Sequence, residues 1–69
     1  MPSTVIRRFD YDPGEQALIV TFTTGRVYRY NEVPPDVAER FRGAFSKGRF
    51  FNARIRDRYA FTELEPSQA

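Results

Sequence analysis

Between Ala17 and Tyr30 apolar and polar positions alternate on either side of one glycine-bearing turn, a pattern that dictates an antiparallel hairpin. Leu18, Val20 and Phe22 fall on one face of the first strand; Ala17, Ile19 and Thr21 fall on the other. Thr23-Thr24-Gly25 reverses the chain into a second strand, Arg26 to Asn31. A two-residue turn centred on Thr24-Gly25 pairs Phe22 with Val27 and Thr21 with Tyr28. A three-residue loop with Gly25 left-handed, forming a bulge, pairs Val20 with Tyr28 and Leu18 with Tyr30. Threonine is disfavoured where φ must be positive, because its branched Cβ collides with the backbone. The bulged loop is therefore expected. It gathers Leu18, Val20, Phe22, Tyr28 and Tyr30 on one face and leaves Ile19, Thr21, Val27 and Arg29 on the open one.

The flanking segments extend this hairpin. Val5 to Tyr11 reads as a strand with broken alternation, since Val5, Phe9 and Tyr11 share a parity with Arg7 and Ile6 lies opposite. Asp12-Pro13-Gly14 is a turn, with proline presetting its own φ and glycine accepting a positive one. Val33-Pro34-Pro35-Asp36 ends the strands and opens a helix, because proline is tolerated in the first turn and Asp36 complements the dipole there. The helix is expected from Pro35 to about Ser46, with Val37, Phe41, Ala44 and Phe45 as its apolar stripe and Gly48 as its stop. Gly43 is expected to allow close packing on the sheet. Phe50-Phe51 tethers the next segment to the core; Ile55 suggests a short helical turn, and Tyr59 to Leu64 a last strand. The expected fold is α+β: a small antiparallel sheet of three to four strands, in βββα(β) order, packed on one main helix. Its core is Leu18, Val20, Phe22, Tyr28, Tyr30, Val37, Phe41 and Phe45. A chain of 69 residues is one domain, 1–69, with an ordered core at about 5–64 and a frayed tail at 65–69.

Composition removes several chemistries. There is no cysteine and no histidine, so disulfides, thiolate metal sites, thiol nucleophiles and the commonest general base are all absent. The longest apolar run, Ala17 to Val20, is far short of a membrane span, and no signal-peptide stretch opens the chain. A cytoplasmic protein is expected. The formal charge is only +2, but it is unevenly placed. From Arg40 to Arg58 seven basic residues face one acid, Asp57. Ten of the eleven cations are arginine, whose planar fork suits phosphate and stacks on rings. Such a segment points to an acidic partner, or else to a solvated helix face.

The order of motifs from Val5 to Phe61 resembles the KTSC domain, a small family found at the C-terminus of some lysyl-tRNA synthetases and as stand-alone bacterial proteins. The matching residues are Tyr11-Asp12, Leu18-x-Val20-x-Phe22, Gly25, Tyr28-Arg29-Tyr30 and Val33-Pro34. They continue with Ala44-x-Ser46-x-Gly48-x-x-Phe51-Asn52, Ile55-Arg56 and Tyr59. The resemblance implies the small α+β fold and, through the synthetase association, RNA binding; it implies no catalytic residue.

Three constellations carry candidate chemistry. Tyr28-Arg29-Tyr30 offers rings for stacking and a cation for phosphate. Alternate strand residues face opposite sides, however, so the tyrosines either form a half-buried core pair or present to a ligand without Arg29. Arg54-x-Arg56-x-Arg58 places three guanidiniums on one face if extended; in a helix Arg54 and Arg58 align and Arg56 diverges. Their plainer reading is surface arginine paired with Asp57, Glu32 or Glu39. Ser46-Lys47-Gly48-Arg49 either caps local backbone or, if Arg49 opens a new helix, holds an anion at its N-terminus. Asp10 and Asp12 have no third metal ligand, and Asp12 is explained by its turn.

The expected function is a non-catalytic nucleic-acid-binding module, for RNA, using an Arg-rich surface with an aromatic rim. Its residues are Tyr28, Arg29, Tyr30, Lys47, Arg49, Phe50, Arg54, Arg56 and Arg58, with no catalytic residue, metal or cofactor. The alternative is a protein-interaction domain docking a partner or a second copy through a sheet edge or the open sheet face. A monomer or weak dimer, away from membranes, fits either.

Overall fold

A computed structural model describes residues 6–64; Val5 and the 65–69 segment lie outside the described residues. Four strands, β1 (Ile6–Asp12), β2 (Ala17–Phe22), β3 (Val27–Tyr30) and β4 (Phe61–Leu64), form one antiparallel sheet in sequential order. Two helices, α1 (Pro35–Gly43) and α2 (Lys47–Arg54), lie in the chain between β3 and β4.

The β2–β3 hairpin takes the bulged register. Leu18 lies opposite Tyr30 and Val20 opposite Tyr28. Gly25 has φ +96°, its N–H donates to the Phe22 carbonyl at 2.9 Å, and the Phe22 N–H donates to the Arg26 carbonyl at 2.9 Å. The broken alternation of β1 has a structural cause. A bulge between Ile6 and Arg8 places Ile6 opposite Phe22 and Arg8 opposite Thr21. The extra residue turns Ile6 to the core side with Phe9 and Tyr11. In the β1–β2 turn the Asp12 carboxylate accepts from the Gly14 and Glu15 amides at 3.0 and 3.3 Å. The left-handed residue there is Gln16, at φ 52°, rather than Gly14.

The expected single helix is two. The α1 helix stops at Gly43, and Ala44 is already extended at ψ 138°. Ser46 then caps α2, its hydroxyl accepting from the Arg49 amide at 3.3 Å, and Gly48 lies inside the new helix instead of ending the old one. The break rotates Phe45 off the stripe that carries Phe41, so Phe45 is fully exposed and is not a core residue. A Cβ on Gly43 would meet nothing within 4 Å, so Gly43 mediates no close packing.

The core forms where both helices meet one sheet face. Leu18, Val20, Tyr30, Val33, Phe41, Phe51 and Ile55 are buried, with Phe22, Tyr28 and Val37 partly buried against them. Phe41 of α1 packs against Phe9 of β1 with ring centroids 4.3 Å apart and planes tilted by 36°. Phe51 of α2 meets Phe22 and Tyr30 edge-on at 5.5 and 5.4 Å. Val33, Phe51 and Ile55 carry the core role expected of Phe45. The other sheet face holds Ile19, Thr21, Val27 and Arg29 and carries no helix among the described residues.

Candidate functional site: two clefts sharing the end of α2

Phe50 and Phe51 are neighbours in α2, but they line different clefts. The larger, about 590 Å³, opens between the sheet and the chain leaving α2. Its walls are Phe22, Tyr28, Tyr30, Phe51 and Phe61. The Tyr28 and Tyr30 rings, two apart on β3, lie 6.4 Å apart at 23° to one another. Phe61, paired with Tyr30 across the β3–β4 ladder, sits 5.3 Å from the Tyr28 ring and 5.5 Å from the Tyr30 ring. Phe22 closes the far side edge-on to Tyr28 at 5.6 Å. Four of these rings support one another, whereas Phe61 keeps 52% of its surface in solvent. An exposed ring over an aromatic floor is a stacking surface.

The rim of this cleft is charged on both signs. The Arg26 guanidinium donates to Glu63 at 3.2 Å and is spoken for. The Arg56 guanidinium donates to the Asn52 side-chain oxygen at 3.4 Å, and neither Arg56 nor Asp57 belongs to an ion pair among the described residues. Burial, with Tyr28 beside it, pushes the Tyr30 hydroxyl up to about 12; Arg56 opposes that rise and Asp57 adds to it. The Arg56 and Asp57 charges therefore both act at the tyrosine end of the cleft.

The smaller cleft, about 260 Å³, lies between the helices. Arg40 of α1, Arg54 at the end of α2 and Arg58 from the turn beyond it line the cleft, with Asp36, Phe50 and Tyr59. The ion pairs of the described residues are Arg8–Asp10, Arg26–Glu63, Arg29–Glu15 and Arg42–Glu39, and none engages these three arginines. Arg54 ends α2 and Arg58 lies in the turn that follows it, yet both line this cleft, while Arg56 between them lines the aromatic one.

The nine residues expected to form one surface divide accordingly. Tyr28, Tyr30 and Arg56 line the aromatic cleft; Phe50, Arg54 and Arg58 line the basic one. Lys47 donates to the Ala44 carbonyl at 2.8 Å, closing the helix break, and Arg49 is exposed without lining either cleft. Arg29 is on the uncovered sheet face, 3.8 Å from Glu15 and donating to Asn31 at 3.0 Å. Arg40 belongs to the basic segment read from the sequence, whereas Arg26, Asp57 and Phe61 were not expected to line a cleft. The signal for Phe61 lay in the β4 register, which depends on where α2 ends. No group of three or more potential metal ligands is present among the described residues.

Sheet, helices and clefts define a small α+β domain, and no helix among the described residues is long and apolar enough to cross a membrane. The chain belongs to the KTSC domain family, which it matches over residues 2–59. A crystal structure of a KTSC domain protein from Yersinia pestis superposes with a TM-score of 0.86 at 31% identity, covering 94% of this chain and 90% of that one. A protein of Tsukamurella paurometabola is 44% identical over 62 residues, 90% of this chain and 92% of its own length. A lysine–tRNA ligase of Nostoc punctiforme is 41% identical over 61 residues. That match takes in 88% of this chain but spans only 11% of the ligase.

Proposed function

We propose that this domain is a non-catalytic module that binds single-stranded RNA in the cytoplasm. The observation that carries the reading is the convergence of Arg40, Arg54 and Arg58 on one groove, free of the ion pairs that engage Arg8, Arg26, Arg29 and Arg42. Guanidinium groups that share a groove with one carboxylate, Asp36, and form no ion pair among the described residues attract a chain of phosphates, and the aromatic cleft beyond Phe51 offers bases a surface on which to stack. Similarity to a segment of lysine–tRNA ligases supports an RNA partner over other polyanions.

Salt titration of RNA binding tests this. Three phosphate contacts on a single strand give a slope of about −2 in log K against log salt. The double reversal Arg54→Glu, Arg58→Glu should remove binding while leaving the circular dichroism spectrum unchanged. Binding that ignores salt and survives the reversal refutes the arginine groove as the RNA surface; no binding of RNA at any salt refutes the reading and favours docking of a protein through the sheet edge or the open face.

A further inference from the structure

We propose that the aromatic cleft is a guanine-selective base pocket, with Arg56 and Asp57 reading the edge of a base stacked against Phe61. The inference rests on the RNA reading and adds to it a choice of base. Stacking alone cannot choose, because every nucleobase has a π face. Discrimination comes from polar groups at the rim, and here these are distinctive.

Arg56 supplies only donors and an ionised Asp57 only acceptors, and they are consecutive in the chain at one cleft. Guanine has the matching edge. Its O6 and N7 accept, a pair that arginine contacts with two hydrogen bonds, while its N1–H and exocyclic amine donate side by side to a carboxylate. Adenine and cytosine each offer a carboxylate one amine, and uracil one N–H flanked by carbonyl oxygens that the carboxylate repels. Both side chains line the same cleft as the Tyr28, Tyr30 and Phe61 rings, at its rim beside a base stacked there. Arg26 does not compete for Asp57, because Glu63 holds it at 3.2 Å. The volume, about 590 Å³, is within the range of small-molecule sites and accepts a purine in an open slot.

The test titrates the isotope-labelled full chain with four pentaribonucleotides, uridine at every position except a central guanine, adenine, cytosine or uracil. Amide shifts report affinity and place. The guanine oligomer should bind roughly tenfold tighter than the adenine one, with its shifts centred on 22–30 and 56–61. Asp57→Asn and Asp57→Ala should each erase that preference while retaining salt-dependent binding of all four. Equal affinity for the four oligomers, lost on Arg54→Glu with Arg58→Glu, overturns the guanine pocket and leaves the RNA reading standing. No binding of any oligomer overturns both. A guanine preference that survives both Asp57 substitutions overturns the role given to Asp57.

Discussion

The Tyr11 hydroxyl donates a hydrogen bond to the Val33 carbonyl oxygen at 2.6 Å, joining β1 to the segment that launches α1, 22 positions further along. The Val33 N–H donates in turn to the Gln16 carbonyl at 2.8 Å. Val33 is fully buried, so both of its backbone polar groups depend on these two partners for lost water. Gln16 meets this demand by adopting φ 52°, which explains a left-handed non-glycine residue at that turn. Tyr11→Phe leaves the Val33 carbonyl without its donor and should lower the melting temperature by several degrees, measured by circular dichroism. An unchanged melting curve would show that water replaces the hydroxyl at no cost.

Two phenylalanines six positions apart should respond in opposite ways to truncation. Phe51 touches the rings of Phe22, Tyr30 and Phe41 and is almost completely buried. Phe51→Ala should cost about 3–5 kcal/mol, enough to unfold much of so small a domain. Phe45 faces solvent, so Phe45→Ala should stay within about 0.5 kcal/mol of the parent. Urea unfolding of both variants checks the pair; equal losses would place Phe45 back in the core.

These contrasts mark how far the fold is legible in sequence. The β2–β3 register is local: the steric demand at Gly25 and the parity of Leu18, Val20, Phe22, Tyr28 and Tyr30 agree on one answer. The helix break is decided by competition between two readings of one stretch. Helical spacing from Phe41 favours carrying Phe45 on the same stripe, but Ser46 offers a cap to a second helix that buries Phe51 and Ile55. Burying two large side chains outweighs burying one, and a cap residue followed by Phe50-Phe51 and Ile55 was the available signal. The clefts were less legible still. Arg40 and Arg54 line one cleft only because α1 and α2 pack, and Phe61 reaches Tyr28 only through the β3–β4 register.

Gly25 isolates a backbone effect. A Cβ placed there has open space around it, so any cost of Gly25→Ala comes from φ +96° alone. That cost should be about 1–2 kcal/mol, read from the urea midpoint with an unchanged slope. Gly43→Ala has the same open surroundings without the positive φ, and removes a weak helix former at the end of α1. It should be neutral or stabilising by up to about 1 kcal/mol. A destabilised Gly43→Ala would mean that the helix break itself requires glycine.

Alkaline pH should weaken the domain through Tyr30. Burial is the main reason that its hydroxyl is pushed up from 10.0 to about 12, with Tyr28 and Asp57 adding and Arg56 opposing. The folded state thus holds the Tyr30 proton after the unfolded chain has released it, so unfolding is favoured as pH rises. The stabilisation is fully present below pH 10 and is lost progressively as pH climbs through about 12. Tyr11, also raised chiefly by burial, with Asp12 and Asp36 contributing, acts in the same direction. Urea unfolding at intervals between pH 8.5 and 11.5 should show a falling midpoint above pH 10, accompanied by late-appearing tyrosinate absorbance. Tyr30→Phe should flatten part of that fall while keeping the ring that Phe51 and Phe61 pack against. If the parent and Tyr30→Phe lose stability along the same curve, the Tyr30 hydroxyl is not the group that couples folding to alkaline pH, and the desolvation of the cleft floor is weaker than its burial implies.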